Sequence, residues 1–214
     1  MLIPRVSVFD SLFLQEDVRP MDDIVRIGIR MARPSDAAGI ASIYVDSWRD
    51  TYAGILPDAG LLRLSKGDHT SSWTRTIKGA NLRNPVLVAA DENSNVYAFA
   101  SAGPSRDRSL PFEGEVYTLY VAPGWTGQGI GTALLTSIFR LFSKANCRGV
   151  IIWALGENPS RFFYEAMGGR LIAERDHGLW GKTMREVGYG WSSLDIGRPA
   201  HRVGRGAEPE PPLS

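Results

Sequence analysis

Only one cysteine, Cys147, occurs in the 214 residues, so no disulfide can form within the chain. That fits a reducing compartment, and a cytoplasmic location is the expectation. No apolar run approaches the roughly 20 residues needed to cross a bilayer. The N-terminal stretch has no basic start followed by a long apolar segment, so it does not read as a secretory signal. An excess of either charge is lacking too: 24 Lys and Arg stand against 23 Asp and Glu, a formal net charge of +1. This gives no global case for nucleic acid or an anionic membrane as a partner. His69, His177 and His201 are scattered without metal-ligand spacing, and no metal is expected. No internal repeat is present. What remains is an ordinary globular composition, 43% hydrophobic and 22% charged, in a chain long enough to bury one core.

The ends read differently from the middle. Residues 1–24 are expected to form an N-terminal arm. Met21 offers an alternative start, which would make residues 1–20 an upstream extension. Residues 196–214, rich in Pro, Gly, Arg and Glu, have almost nothing to bury and are expected to be a disordered tail. A single domain over 25–195 is expected between them.

Within that domain, Val25, Ile27, Ile29 and Met31 alternate as in a strand. A helix follows from Ser35 or Asp36, with Ile40, Tyr44 and Trp48 on one face. Further helices are expected over 58–64 and 70–78. The segment 85–103 reads as a β-hairpin, and 113–123 as a strand stopped by Pro123. The clearest helix spans about 129–146, with Leu134, Leu135, Ile138, Leu141 and Phe142 as its buried stripe. A buried strand over 149–155, a short helix ended by Gly168 and Gly169, and two closing strands complete the order β-α-α-α-β-β-β-α-β-α-β-β. This predicts an α/β (α+β) fold: a mixed, largely antiparallel sheet of about seven strands with helices on both faces.

Gly127, Gly129 and Gly131 stand at the handover from strand to helix. Glycine costs roughly 0.5–1 kcal/mol against alanine inside a helix, so the pattern needs a reason. Backbone N–H groups at a helix start are unpaired, and the helix dipole adds partial positive charge there. Glycines let a phosphate approach the backbone, so the segment reads as a pyrophosphate cradle. No lysine follows, which excludes the P-loop, and the spacing is not that of the dinucleotide fingerprint.

Two blocks then carry a resemblance. Thr126-Gly127-Gln128-Gly129-Ile130-Gly131, flanked by LYVAP and TALL, resembles the Arg/Gln-x-x-Gly-x-Gly/Ala hallmark of the GNAT-type N-acetyltransferases. ENPSRFFYEAMGGR resembles the same family's Asn…Phe-Tyr-x-x-x-Gly-Phe segment. Thr126 replaces the usual Arg or Gln, and Gly169 the usual Phe. The resemblance implies the acyl-CoA N-acyltransferase fold, with acetyl-CoA as cosubstrate in a gap between splayed parallel strands ending near Val121 and Leu155. Gly127, Gln128, Gly129, Ile130, Gly131 and Thr132 would hold the pyrophosphate. Leu119, Tyr120 and Val121 would hold the pantetheine arm, with Asn158 either helping or capping a helix. By the same likeness, Tyr164 is the acid that protonates the leaving thiolate. A carboxylate on the strand leading to Val121, Glu115 rather than Glu113, is the base. Alternation would put both, with Tyr117 and Leu119, on one face. Trp48 and Tyr52, in SWRDTYAGILPD, would wall an amine-acceptor pocket. The activity implied is acetyl transfer to a small-molecule amine by direct attack in a ternary complex. Peptide or protein acetylation and non-catalytic acyl-CoA binding are the alternatives. Members of the family often form homodimers, and neither nucleic acid nor membrane is expected as a partner.

Overall fold

The computed structural model describes residues 5–10 and 24–194; the alternative start at Met21 and the C-terminal tail lie outside the described residues. A single mixed sheet runs in the order β1-β2-β3-β4-β5-β6-β8-β7. Its strands are β1 (Arg5–Asp10), β2 (Ile24–Met31), β3 (Val86–Ala90), β4 (Val96–Pro104), β5 (Gly114–Val121), β6 (Val150–Leu155), β7 (Arg170–Leu179) and β8 (Lys182–Trp191). Two neighbouring pairs, β1 with β2 and β5 with β6, are parallel, and the other five are antiparallel. Seven strands and their order match the reading of the sequence. The eighth, β1, comes from the segment expected to be an arm, and pairs with β2 from Arg5↔Ile24 to Asp10↔Ile29.

The helices are α1 (Ala37–Tyr52), α2 (Asp58–Arg63), α3 (Lys66–Lys78), α4 (Ile130–Lys144) and α5 (Arg161–Ala166). A 3-10 turn at Pro34–Asp36 precedes α1. Asp36 does not cap α1 with its side chain. Its buried carboxylate instead accepts from the Arg33 N–H and both terminal nitrogens of Arg30. Helix α3 starts four residues earlier than expected, because Ser65 accepts from the Asp68 N–H and sets the cap there.

The two faces of the sheet carry separate cores. Helix α4 covers one face, burying Leu134, Leu135, Ile138, Leu141 and Phe142, as the period predicts, together with Phe139. Each such side chain contributes about 1.5–3 kcal/mol when fully buried. On the other face, Ile40 and Ile43 of α1 and Ile77 of α3 pack on Val86, Val88 and Phe99. Where the family pattern has Gly-Phe after α5, this chain has Gly168-Gly169. A Cβ on Gly169 would come within 2.6 Å of the Trp191 ring. The Trp191 indole already occupies that space and donates to the Met167 carbonyl at 2.9 Å.

Two irregularities position the site. The β4–β5 register shifts between Ser101 and Ala102, which leaves Tyr117 as an extra residue on β5. The bulge breaks the strand's alternation. Val116 and Leu119 both pack toward α4, so Glu115 lies on the opposite face from Leu119, not the same one as simple alternation predicts. Second, β5 and β6 pair only at Gly114↔Val150, Glu115↔Ile151 and Val116↔Ile152. Beyond that point both strands continue, to Val121 and Leu155, without pairing to each other.

Candidate active site

The splay opens into a cleft of about 820 Å³. Its walls come from α1, β5, the loop before α4, β6, the start of α5, and the β7–β8 hairpin. The glycine loop forms one end. Gly127 and Gly129 have φ of +75° and +81°, a left-handed conformation that side chains rarely adopt. Gly124, which the motif did not single out, shares it at +83°. Gly131 is helical, and a Cβ there would make only ordinary contacts with Phe163, Val121 and Leu119. Thus two of the three glycines are required by backbone conformation, and the third leaves space in the cleft.

The first bond of α4 runs from the Ala133 N–H to the Gly129 carbonyl at 3.0 Å. The amides of the helix's opening turn before it have no intrahelical acceptor, which makes a donor set suited to an anion. Of the expected cofactor residues, Leu119, Tyr120, Val121, Gly127, Gly129, Gly131, Thr132 and Asn158 line the cleft, as does Thr126. Two do not. Ile130 is buried in the core, and the half-buried Gln128 side chain turns back to the Gly124 carbonyl. Any contact from these two is through the backbone.

Tyr164 lies in the same cleft, 5% exposed, with its ring against Phe163, Tyr189 and Trp191. Burial, reinforced by the neighbouring Tyr52, raises its phenol well above the ordinary value. It therefore stays protonated at any working pH and can act as a donor, not as a base. Asn158 has both ends of its amide engaged. Its carbonyl accepts from the Ser160 N–H at 2.8 Å, an Asx turn leading into α5, and its NH₂ donates to the Tyr52 hydroxyl at 2.7 Å. Asn158 is not the N-cap of α5, which is Ser160; its amide braces the turn before that helix and the Tyr52 hydroxyl while it lines the cleft.

The other end of the cleft is aromatic. Trp48 stacks near Tyr44, Tyr52 and Trp180, at centroid separations of 5.6, 5.0 and 5.7 Å, and its indole donates to the Tyr120 hydroxyl at 2.8 Å. Trp48 and Tyr52 both line the cleft. Burial pushes the Tyr52 phenol up to about 12. Arg49, beside them, is used structurally: it donates to the Leu61 and Leu64 carbonyls at the end of α2.

The expected base does not reach this cleft. Glu115 is 1% exposed and is held by Arg106 through its backbone N–H at 2.8 Å, its Nε at 3.0 Å and its Nη2. The Arg106 guanidinium also sits 4.6 Å over the Tyr117 ring. Glu113 is likewise bound to Arg148. The carboxylates that do line the cleft are Asp50 and Glu186, and His177 joins them. Asp50 lies in the SWRDTYAGILPD stretch, while Glu186 and His177 belong to neither block that carried the resemblance. Glu186 could have been found only by placing β8 beside β6 and reading its alternation. Trp153, also in the wall, has a buried indole N–H with no acceptor. Cys147 is half-buried and donates to the Gly149 carbonyl, and burial pushes its thiol up, away from nucleophilic use. Among the described residues no cluster of His, Cys, Asp and Glu is arranged to hold a metal, and no helix is long and apolar enough to cross a membrane.

Comparison with known proteins agrees with this geometry. The sequence pattern of the Acetyltransferase (GNAT) family matches residues 40–169. The uncharacterized N-acetyltransferase YuaI of Bacillus subtilis (strain 168) is 34% identical over 169 residues, 78% of this chain and 94% of the relative. The chain therefore belongs to the GNAT acetyltransferase family. Among solved structures, a GCN5-related N-acetyltransferase (Aminotransferase, Class-II) from Rhodopseudomonas palustris superposes with a TM-score of 0.61 at 20% identity, covering 77% of this chain and 94% of its own. The PaiA N-acetyltransferase of Thermoplasma acidophilum, solved with coenzyme A, gives 0.56 at 19% identity, covering 75% and 97%. These likenesses establish the fold as that of the acyl-CoA N-acyltransferases.

Proposed function

We propose that this protein transfers an acetyl group from acetyl-CoA to a primary amine of a small-molecule acceptor, both bound at once. The carrying observation is the convergence of three features in one cleft: free amides at the start of α4, an unpaired β5 edge and the Tyr164 phenol. A CoA thioester fits these features. The amides of residues 127–132 suit its pyrophosphate, and the β5 edge at Leu119, Tyr120 and Val121 suits its amide-bearing arm. When bound, acetyl-CoA supplies an acyl group on a good leaving thiolate.

The residues of the chain do the rest. The Val121 N–H polarises the thioester carbonyl, where an oriented donor stabilises developing negative charge. Tyr164 gives its proton to the departing sulfur, a step of positioned acid catalysis typically worth about 10²–10⁴-fold. Trp48 and Tyr52 wall the acceptor end, and Trp180 packs against Trp48 from behind; a wall of braced aromatic rings favours a compact acceptor over an extended peptide.

Calorimetric titration with acetyl-CoA, followed by a screen of small amines and of a lysine peptide against wild type and Tyr164→Phe, tests this. Binding with transfer that collapses in Tyr164→Phe is expected. Binding without transfer to any amine would mark a sensing module instead, and no binding by the folded protein would end the acetyltransferase reading.

A further inference from the structure

An ammonium ion cannot attack a thioester, so the proposed reaction needs a proton acceptor on the acceptor side of the cleft. We infer that Glu186, oriented by Arg175, takes this proton; the inference rests on the acetyltransferase reading above. Glu186 lies on β8 directly opposite Leu155, the last residue of β6, and so beside the end of the splay. Its side chain is 16% exposed and lines the cleft. Arg175, paired with it across the β7–β8 ladder, donates from Nε to Oε2 at 2.7 Å. That bond fixes one oxygen, while Oε1 has no hydrogen-bond partner among the described residues. The Arg175 guanidinium also lies 3.9 Å over the Trp153 ring, whose buried N–H lacks an acceptor in the same wall. A carboxylate fixed through one oxygen, with the other free and the side chain in the cleft wall, is placed to accept a proton from a bound ligand.

The other carboxylates are less suited. Glu115 is buried against Arg106, Glu113 is paired with Arg148 at the surface away from the cleft, and Asp50 is exposed at the end of α1. His177 lines the cleft but is exposed, and its ring makes no hydrogen bond among the described residues, so nothing fixes it. The ionisable groups around Glu186 are Arg175 and His177 on β7, Tyr52 and Asp50 on α1, Tyr117 on β5 and Arg106 from the β4–β5 loop.

The step balances as follows. The Glu186 carboxylate removes a proton from the substrate ammonium. The amine nitrogen then forms the N–C bond as the C–S bond breaks, and the thiolate takes the Tyr164 proton. The second proton on nitrogen leaves to water, and Glu186 and Tyr164 return to their starting states by exchange with solvent.

The test uses the full chain, acetyl-CoA, and benzylamine, 1,4-diaminobutane and a lysine peptide as probe amines. In Glu186→Gln, acetyl-CoA affinity should stay within about threefold of wild type, while kcat on the best probe falls about 100-fold or more at pH 7. The kcat/KM of this variant should keep climbing with pH as the amine loses its own proton, where wild type levels off. Glu186→Asp should recover part of the rate. Arg175→Ala, which breaks the pair but keeps the carboxylate, should retain the plateau with at most about a tenfold loss. Near-wild-type kcat in Glu186→Gln, or loss of the plateau in His177→Gln instead, would overturn the assignment. So would wild-type protein that binds acetyl-CoA yet acetylates none of the probes. Failure of folded wild type to bind acetyl-CoA is a separate result, which would overturn the acetyltransferase reading and this inference with it.

Discussion

The two ends of the cleft are made of different material. At the α4 end the groups that the cleft presents are backbone amides, supplied by consecutive residues and shaped by Gly127 and Gly129 in a left-handed conformation. At the α1 end they are side chains from α1, β5, β6, β7 and β8, brought together only by the order of strands in the sheet. The first end should be sensitive to backbone geometry and tolerant of side-chain chemistry, and the second the reverse.

The largest expected effect lies where the two ends meet. Tyr164→Phe should lower kcat by about 10²–10⁴-fold, with acetyl-CoA affinity unchanged within a few-fold, as read from thiol release and calorimetry. Next, Gly129→Trp places a large side chain at φ +81°, where L residues are strained by about 1–2 kcal/mol, and blocks the amides as well. Acetyl-CoA affinity should fall about 100-fold while circular dichroism shows the fold retained. Arg106→Ala separates stability from function. It leaves the buried Glu115 carboxylate without its guanidinium, and solvent access at the 64%-exposed Arg106 discounts the cost to about 2 kcal/mol. Chemical denaturation should register that loss, with kcat changed less than threefold if Glu115 is structural. A large fall in kcat would return Glu115 to the reaction.

A smaller effect should sharpen the contrast: Trp48→Ala should raise the acceptor KM about tenfold and leave acetyl-CoA affinity within twofold. The smallest concerns neither end. Burial alone would raise the Asp36 carboxyl, but hydrogen bonds from Arg30 and the Arg33 N–H outweigh it and hold the group below its ordinary value. A carboxyl depressed in the folded state contributes stability above its unfolded pKa, near 3.9, and loses it as pH falls through the folded value. Asp36→Asn should therefore flatten the fall in melting temperature below about pH 4.

The contrast also explains what could be read from the chain. Gly127-Gln128-Gly129 is local, and its conformational demand is written in the residue type, so the left-handed loop before α4 was legible without a fold. The helix of Leu134 to Phe142 and the strand order up to β8 were legible from period and turn residues. Glu115 misled because alternation, sound for a regular strand, is broken at Tyr117 by a bulge that leaves no mark in composition. Glu186 stayed hidden in TMREVGYGW because its place in the cleft wall depends on which strand lies beside β8. Asn158 was ambiguous for a third reason: the same amide can serve a turn or a ligand, and its bond to the Tyr52 hydroxyl joins residues 106 positions apart, which no local pattern announces.

The tip of the β7–β8 hairpin turns through Trp180 and Gly181, both at positive φ, a tight two-residue connection rarely built on tryptophan. Trp180 lies so close to Gly60 of α2 that a Cβ there would stand 2.1 Å from its ring, and Lys182 ties the same tip to the Ile55 carbonyl at 2.7 Å. The hairpin that carries Glu186 is thus docked against α2 and the loop before it, outside the cleft. Gly60 acts as a spacer between two walls it does not belong to. Any side chain at that position must displace the Trp180 ring, which packs on Trp48, so a residue outside the cleft can alter the wall within it.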